Sequence, residues 1–303
     1  MDSEVHSISI SNWFSTEEGK SGDDKNHMPK TLTEQLVLGL EDFFSLEVWR
    51  ASVAELIGTA VLVFALDTIV ISSFETNTKT PNVLISIFIF SSVSILILAT
   101  FPISGGHLNP AITFSAALLG VISYARATIY ILAQCLGAAL GALALQAVVS
   151  DSTVQAYSLG SCTLTVTQPG TNGPTAVGIN TSQAFWLEIF CMFVVLFASV
   201  WIAFDGRQAK PLGPVVVSST IGLIVGLMVF VSTTVTGTAK SGYAGAGMNP
   251  ARCLGPALVR GGHLWDGHWI FWLGPTIVCL PFYMYIQIIP RQHFQPSKQG
   301  NDD

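Results

Sequence analysis

Six long apolar runs limit the folds open to this chain. A bilayer core about 30 Å thick requires about 20 apolar residues in helical form to cross it. The runs long enough are Val48–Ile71, Asn82–Phe101, Ala127–Val149, Ala184–Phe204, Pro211–Val235 and Trp269–Ile289. They lack the roughly ten-residue alternating segments of membrane β-strands. The sequence therefore predicts an all-α membrane protein with six transmembrane helices.

Charge is concentrated outside these runs. Only 11% of the 303 residues are charged, against about 25% in an average soluble domain. Ten of the 19 acidic residues fall in residues 1–47, so the net charge of −6 belongs largely to a polar tail. This tail indicates no charged binding face and no nucleic-acid partner. We expect a disordered N-terminal tail over 1–45, a membrane domain over 46–290 and a C-terminal tail over 291–303.

The connecting segments predict the orientation. Residues 150–183 form the longest connection and contain no Lys or Arg, whereas the short connection 205–210 holds Arg207 and Lys210. Lys and Arg favour the cytoplasmic side of a membrane. We therefore expect cytoplasmic termini and an extracellular loop over 150–183. The first 30 residues lack the apolar segment of a signal peptide, so the first span is expected to direct insertion.

Two apolar stretches are too short to cross a membrane. Asn109–Gly120 and Asn249–Val259 would each extend about 17 Å as a helix, roughly half of the bilayer core. Each begins with Asn-Pro, in which Asn is a favourable N-cap and Pro suits the first helical position. Glycines before each motif allow a tight turn. Both stretches are predicted to be half-helices that enter the membrane and return.

The spacing of these stretches predicts an inverted repeat. The first follows span two and the second follows span five, so they enter from opposite faces. We expect repeat one over about 48–149 and repeat two over about 184–290. Glu55 early in span one corresponds to Glu188 early in span four. Inverted repeats with broken helices that meet near the midplane are typical of transport proteins.

The six spans and the paired Asn-Pro-Ala motifs resemble the aquaporin, or major intrinsic protein, family over about residues 48–290. The resemblance implies a right-handed bundle of six transmembrane helices plus two re-entrant half-helices. The "NPARC" motif ending at Cys253, the long loop before span four and the polar N-terminus resemble the X intrinsic proteins of plants and fungi. Many members of that subfamily are described with an altered first motif, whereas Asn109-Pro110-Ala111 is intact.

The two motifs are the predicted centre of a pore. They consist of Asn109, Pro110, Ala111, Asn249, Pro250 and Ala251. Two ordinary N-caps are the alternative, which the inverted duplication disfavours. In the functional interpretation, both Asn amides donate hydrogen bonds to a permeating oxygen, and the half-helix N-termini add partial positive charge. Water and neutral solutes would pass, and cations and protons would be repelled.

A second constriction is expected nearer the outer face. Arg252 would be costly in the membrane unless it faced water or a partner, so we place it at this constriction. By resemblance, Ile89 and Ala246 complete the filter with Val229, for which Phe230 is the alternative. Aliphatic side chains at these positions predict a wide filter that passes glycerol, urea, boric acid or hydrogen peroxide beside water.

Several polar side chains keep two interpretations at this stage. Glu55 and Glu188 either accept hydrogen bonds from the re-entrant loops, which we favour, or relay protons. Asp67 lies near the outer end of span one, in a vestibule or at the interface. His107 either packs within its loop, which we favour, or gates the pore.

The cysteines give a further open question. Cys162 and Cys253 could form a disulfide on the oxidising outer face or remain free thiols. The five cysteines show no metal-ligand spacing, so neither a metal nor a cofactor is expected.

A passive channel is the predicted function. A secondary transporter would carry an acidic cluster at the midplane, where this chain has amides, and no motif supports an enzyme. A scaffold or junction protein with the same fold is the remaining alternative. By resemblance, we expect a homotetramer in the plasma membrane, surrounded by lipid, with water and small neutral solutes as its partners.

Overall fold

The computed structural model describes residues 38–170, 173–235 and 242–288. Six helices in these ranges are long and apolar enough to cross a membrane. They are α1 (Leu46–Glu75), α2 (Pro81–Ser104), α4 (Tyr124–Val148), α6 (Thr181–Ala198, continued by a π-helical turn over Ser199–Phe204), α7 (Gly206–Val235) and α9 (Ile270–Ile288). The six apolar runs of the sequence thus correspond to the six long helices.

Two short helices lie between the long ones. Helix α3 spans Pro110–Leu118 and helix α8 spans Pro250–Arg260. Each has an extended Asn as its N-cap, and the Asn side chain accepts a hydrogen bond from the backbone of the first turn. Proline follows as the first helical residue, where its missing N–H costs nothing. The predicted half-helices are therefore present at both motifs.

The packing of the helices follows the predicted repeat. Helix α1 packs on α4 in the first half, as α6 packs on α9 in the second. Each half-helix then contacts the last span of the opposite half: α3 packs on α9, and α8 packs on α4. Helices α2 and α7 pack on each other. This exchange interlocks the two halves into one bundle.

Small residues allow the closest helix contacts. A Cβ atom on Gly137 or Gly141 of α4 would collide with the carbonyl oxygens of Leu56 and Ala60 on α1. A Cβ atom on Gly222 of α7 would collide with the Ser94 hydroxyl and the Phe90 carbonyl oxygen on α2. Such stripes of small residues are the usual means of close packing between membrane helices, where apolar surface gives no net driving force.

The segment over 150–183 is more structured than the sequence predicted. It contains helix α5 (Asp151–Tyr157), a 3₁₀ turn (Ser158–Gly160) and an antiparallel hairpin of β1 (Thr165–Gly170) and β2 (Gly173–Gly178). Three successive β-branched residues, Thr165, Val166 and Thr167, favour the extended form at the start of β1. The chain is mostly helical, with one small hairpin in a segment predicted to be a loop.

The predicted tails fall mainly outside the described residues. This applies to residues 1–37 and 289–303. The end of the predicted tail over 1–45 is ordered instead, because Leu40–Phe44 form a 3₁₀ turn. The Ser123 hydroxyl donates to Asp42 at 2.5 Å, and the Trp49 indole donates to the Phe43 carbonyl at 2.9 Å. These contacts fix the turn against the first residues of α4 and α1.

Candidate functional site

A cavity of about 1070 Å³ passes between the helices of the bundle. One end is lined by His107 and Phe204, near the ends of spans two and four. The other end is lined by Tyr157 and Thr163, which follow span three. Since spans two and four end on one face and span three on the other, the cavity connects the two faces. Asn109 and Asn249 both line it.

The two Asn side chains bind the opposite loops reciprocally. Asn109 Nδ2 donates to the Met248 carbonyl at 2.8 Å, and Asn249 Nδ2 donates to the Leu108 carbonyl at 2.8 Å. Each Asn thus holds the residue that precedes the other Asn. An amide group has two N–H donors, so each side chain keeps one for another acceptor. Both residues are 9% exposed.

Unusual backbone conformations make these reciprocal hydrogen bonds possible. Leu108 and Met248 have φ values of 50° and 52°, in the left-handed region that residues other than Gly rarely occupy. Such backbone strain persists only where surrounding contacts hold it, and it concentrates at functional sites. The two residues occupy equivalent positions of the repeat, so both halves contain the same turn.

Buried carboxylates hold both loops from behind. Glu55 accepts from the backbone N–H of His107 at 3.0 Å and of Leu108 at 2.7 Å. Glu188 accepts equivalent bonds from Gly247 and from Met248, the latter at 2.9 Å. Charged acceptors form the stronger class of hydrogen bond. These contacts favour the structural interpretation of both glutamates over a proton relay.

Glu55 belongs to a larger network that sequence reasoning missed. Gln134 Nε2 on α4 lies 2.7 Å from Glu55 and 2.8 Å from the hydroxyl of Thr113. The ring Nδ1 of His107 lies 3.2 Å from the same hydroxyl. His107 therefore packs within its loop and also lines the cavity, so both of its interpretations stay open. The sequence feature that could have revealed this network is Gln134, a polar side chain within the apolar run of span three.

The four proposed filter residues belong to the wall of the cavity. Ile89, Val229, Ala246 and Arg252 all line it. Phe230, the alternative to Val229, is 36% exposed and is not among the lining residues. Three of these four side chains are aliphatic, so the guanidinium of Arg252 is the one hydrogen-bonding side chain among them.

Contacts with the segment between α4 and α6 fix Arg252. Its Nη2 donates to the Gly160 carbonyl at 3.0 Å, and its Nη1 lies 2.7 Å from the sulfur of Cys162. A disulfide joins Cys162 to Cys253, with Cα atoms 5.2 Å apart. Asp67 lies 3.4 Å from the guanidinium. The segment between α4 and α6 is therefore attached to α8 next to the arginine.

Comparison with known proteins points to one family. The family model described as Major intrinsic protein matches residues 42–280. Aquaporin PIP1-2 of Musa acuminata subsp. malaccensis is 31% identical over 80% of this chain and 79% of its own. The probable aquaporin TIP3-2 of Arabidopsis thaliana is 31% identical over 82% and 86%. Aquaporin-4 of Bos taurus is 31% identical over 82% and 70%.

A solved structure has the same fold. The X-ray structure of the aquaglyceroporin from Plasmodium falciparum superposes with a TM-score of 0.63, covering 80% of this chain and 96% of that one. The sequence identity is 18%, so this likeness concerns the fold alone.

Proposed function

The chain belongs to the major intrinsic protein family, and from this premise we propose that it is a passive membrane channel for water and small uncharged solutes. The observation that carries the proposal is the meeting of two Asn-capped half-helices at one continuous cavity. Six long apolar helices make the chain a multi-pass membrane protein. Passive permeation along a cavity that extends between the two faces requires no coupling ion and no chemical step.

The proposed mechanism rests on the electrostatics of the two half-helices. Each N-terminus contributes about half a positive charge, and each Asn offers an N–H donor. A passing water molecule turns its oxygen to these donors, which breaks a chain of water-to-water proton transfer. Cations and protons meet a positive barrier in surroundings of low dielectric constant. This is the general explanation of aquaporin-type selectivity, applied here to Asn109 and Asn249.

The proposed solute range depends on the second constriction. Ile89, Val229 and Ala246 contribute only apolar surface beside Arg252, so a permeating solute finds one strongly polar side. Such a lining suits small uncharged solutes that need only one strong hydrogen-bonding partner as they pass. Glycerol, urea, boric acid and hydrogen peroxide are the proposed solutes beside water.

The remaining assignments extend the family's organisation to this chain. The "NPARC" sequence and the long segment before α6 support membership of the X intrinsic proteins. Arg126, Arg207 and Lys210 support cytoplasmic termini. We also propose a homotetramer in the plasma membrane with one pore in each subunit, since the cavity lies within a single chain.

Solute-resolved permeability of the purified protein in liposomes tests this function. Stopped-flow light scattering gives the rates for water, glycerol, urea and boric acid, and an entrapped peroxide-sensitive dye gives that for hydrogen peroxide. We expect water and at least glycerol to exceed protein-free liposomes, with no added proton flux. Strict water selectivity would refute the solute range. The absence of any permeation would refute the channel and favour a scaffold with the same fold.

A further inference from the structure

Asp67 on α1 is a buried acidic residue that the proposed mechanism does not use. It is 0% exposed, and it is not among the residues that line the cavity. Leu66 and Val70 on the same helix do line it. Asp67 therefore lies behind the cavity wall. A carboxylate within a membrane helix is costly unless something compensates its charge, so a partner is expected.

That partner is Arg252. Its Nη2 lies 3.4 Å from Oδ1 of Asp67, and the two side chains are 8% and 0% exposed. Within residues 38–170, 173–235 and 242–288, neither carboxylate oxygen of Asp67 accepts a hydrogen bond. What compensates the carboxylate is thus the charge of Arg252 at 3.4 Å, an attraction that low dielectric constant strengthens while burial penalises both charges.

The surroundings hold the two charges in this arrangement. Gly160, whose carbonyl accepts from Arg252, packs so closely on α1 that a Cβ atom there would collide with the backbone of Asp67. The Cys162–Cys253 disulfide holds the same segment to α8. The guanidinium is therefore fixed at the wall by a carbonyl on one side and a carboxylate behind it.

We propose that Asp67 is a positioning residue that acts through Arg252 and makes the outer constriction electrically neutral. The inference rests on the proposed channel function. It implies that the charge of the arginine alone does not exclude cations at this level. The pair does so, because Arg252 compensates a carboxylate that would otherwise attract cations into the pore.

Three variants separate this proposal from exclusion by the arginine alone. Arg252→Ala leaves the Asp67 carboxylate uncompensated and opens it to the lumen. Asp67→Asn keeps the shape of the side chain and removes its charge. The double variant Arg252→Ala with Asp67→Asn restores neutrality without either charge. Glu75→Gln combined with Arg252→Ala is the control, because it removes an exposed carboxylate from the outer end of the same helix.

Proton flux into liposomes is the primary measurement. An entrapped pH-sensitive dye reports it while a potassium ionophore clamps the membrane potential. We expect Arg252→Ala to raise the flux about tenfold, equivalent to about 1.4 kcal/mol in barrier height. The double variant should return close to the wild-type flux, and the Glu75→Gln control should not. A double variant that leaks as much as Arg252→Ala would overturn the proposal.

Thermal unfolding in detergent provides a second test that does not require transport. Removing one member of a buried ion pair is strongly destabilising, because it leaves the other charge unpaired. We expect Arg252→Ala to lower the unfolding midpoint and Asp67→Asn to recover much of the loss. If the changes in unfolding midpoint for the two single variants simply added up in the double variant, the pairing would be contradicted. If wild type passed neither water nor glycerol, the channel function would fail, while this cycle would still decide whether the pair exists.

Discussion

At the scale of single residues, Asn109 and Asn249 each serve two purposes. The side-chain oxygen caps a half-helix, and the side-chain amide crosses to the opposite loop. Because Leu108 and Met248 are held at positive φ, their carbonyls point to the partner amide. The same contacts that stabilise the centre of the molecule therefore use one N–H of each Asn, and the proposed mechanism uses the other.

Asn109→Ala is expected to destabilise the protein. The substitution removes a helix cap and leaves the Met248 carbonyl without its donor, which together cost about 2 kcal/mol. Asn180→Ala is the matched control, because Asn180 caps α6 on the exposed surface. Thermal unfolding in detergent should show a larger fall in midpoint for Asn109→Ala. Equal falls would mean that the contact with Met248 adds nothing to stability.

Ile89→Phe is expected to narrow the filter. Ile89 lines the cavity, and a phenyl ring there would occupy part of it, so glycerol permeability should fall about tenfold while water continues to pass. Ile87→Phe is the control, because Ile87 lies on the same helix, is 52% exposed and does not line the cavity. Stopped-flow measurements on both variants decide the matter. Unchanged glycerol permeability in Ile89→Phe would remove Ile89 from the filter.

At the scale of elements, the segment between α4 and α6 carries one end of the disulfide. Cys162 and Cys253 are 91 residues apart in sequence, so the bond closes a long loop and restricts the unfolded chain. It also attaches the segment holding Gly160 to the first turn of α8. The bond therefore stabilises the fold and fixes one side of the Arg252 environment.

Replacing both cysteines with alanine should lower the free energy of unfolding by about 2 kcal/mol. Reduction of the wild-type protein should have the same effect and none on the double variant. Cys135→Ala serves as the control, because Cys135 is a free thiol. Mass spectrometry of non-reduced peptides should identify the linked pair. Two free thiols in the native protein would contradict this assignment.

The elements differed in how far sequence could predict them. The spans and half-helices follow from length, apolar content and Asn-Pro caps, which are local signals. The helix α5 and the β1–β2 hairpin escaped prediction, because their segment lacks a long periodic pattern. The contact between Asp67 and Arg252 also escaped, because 185 positions separate them and no local rule brings them together. Which distant charged residues lie side by side becomes evident only once the packing of the helices is known.

At the scale of the whole molecule, the two interlocked halves account for the cavity. Each half supplies one half-helix, and each half-helix packs on the last span of the other half. Non-helical backbone at membrane depth is tolerated only where it is buried in protein or lines water, and both loops meet this condition here. The central claim is that this shared cavity is the path of permeation.

Osmotic water permeability of Ala246→Trp tests that claim most directly. Ala246 lines the cavity and is 5% exposed, and an indole there would project into the cavity and obstruct it. Proteoliposomes with the wild-type protein should shrink much faster than protein-free liposomes. Proteoliposomes with the same amount of the variant should shrink only at the protein-free rate. A folded variant that still conducts water at the wild-type rate would show that permeation does not follow this cavity.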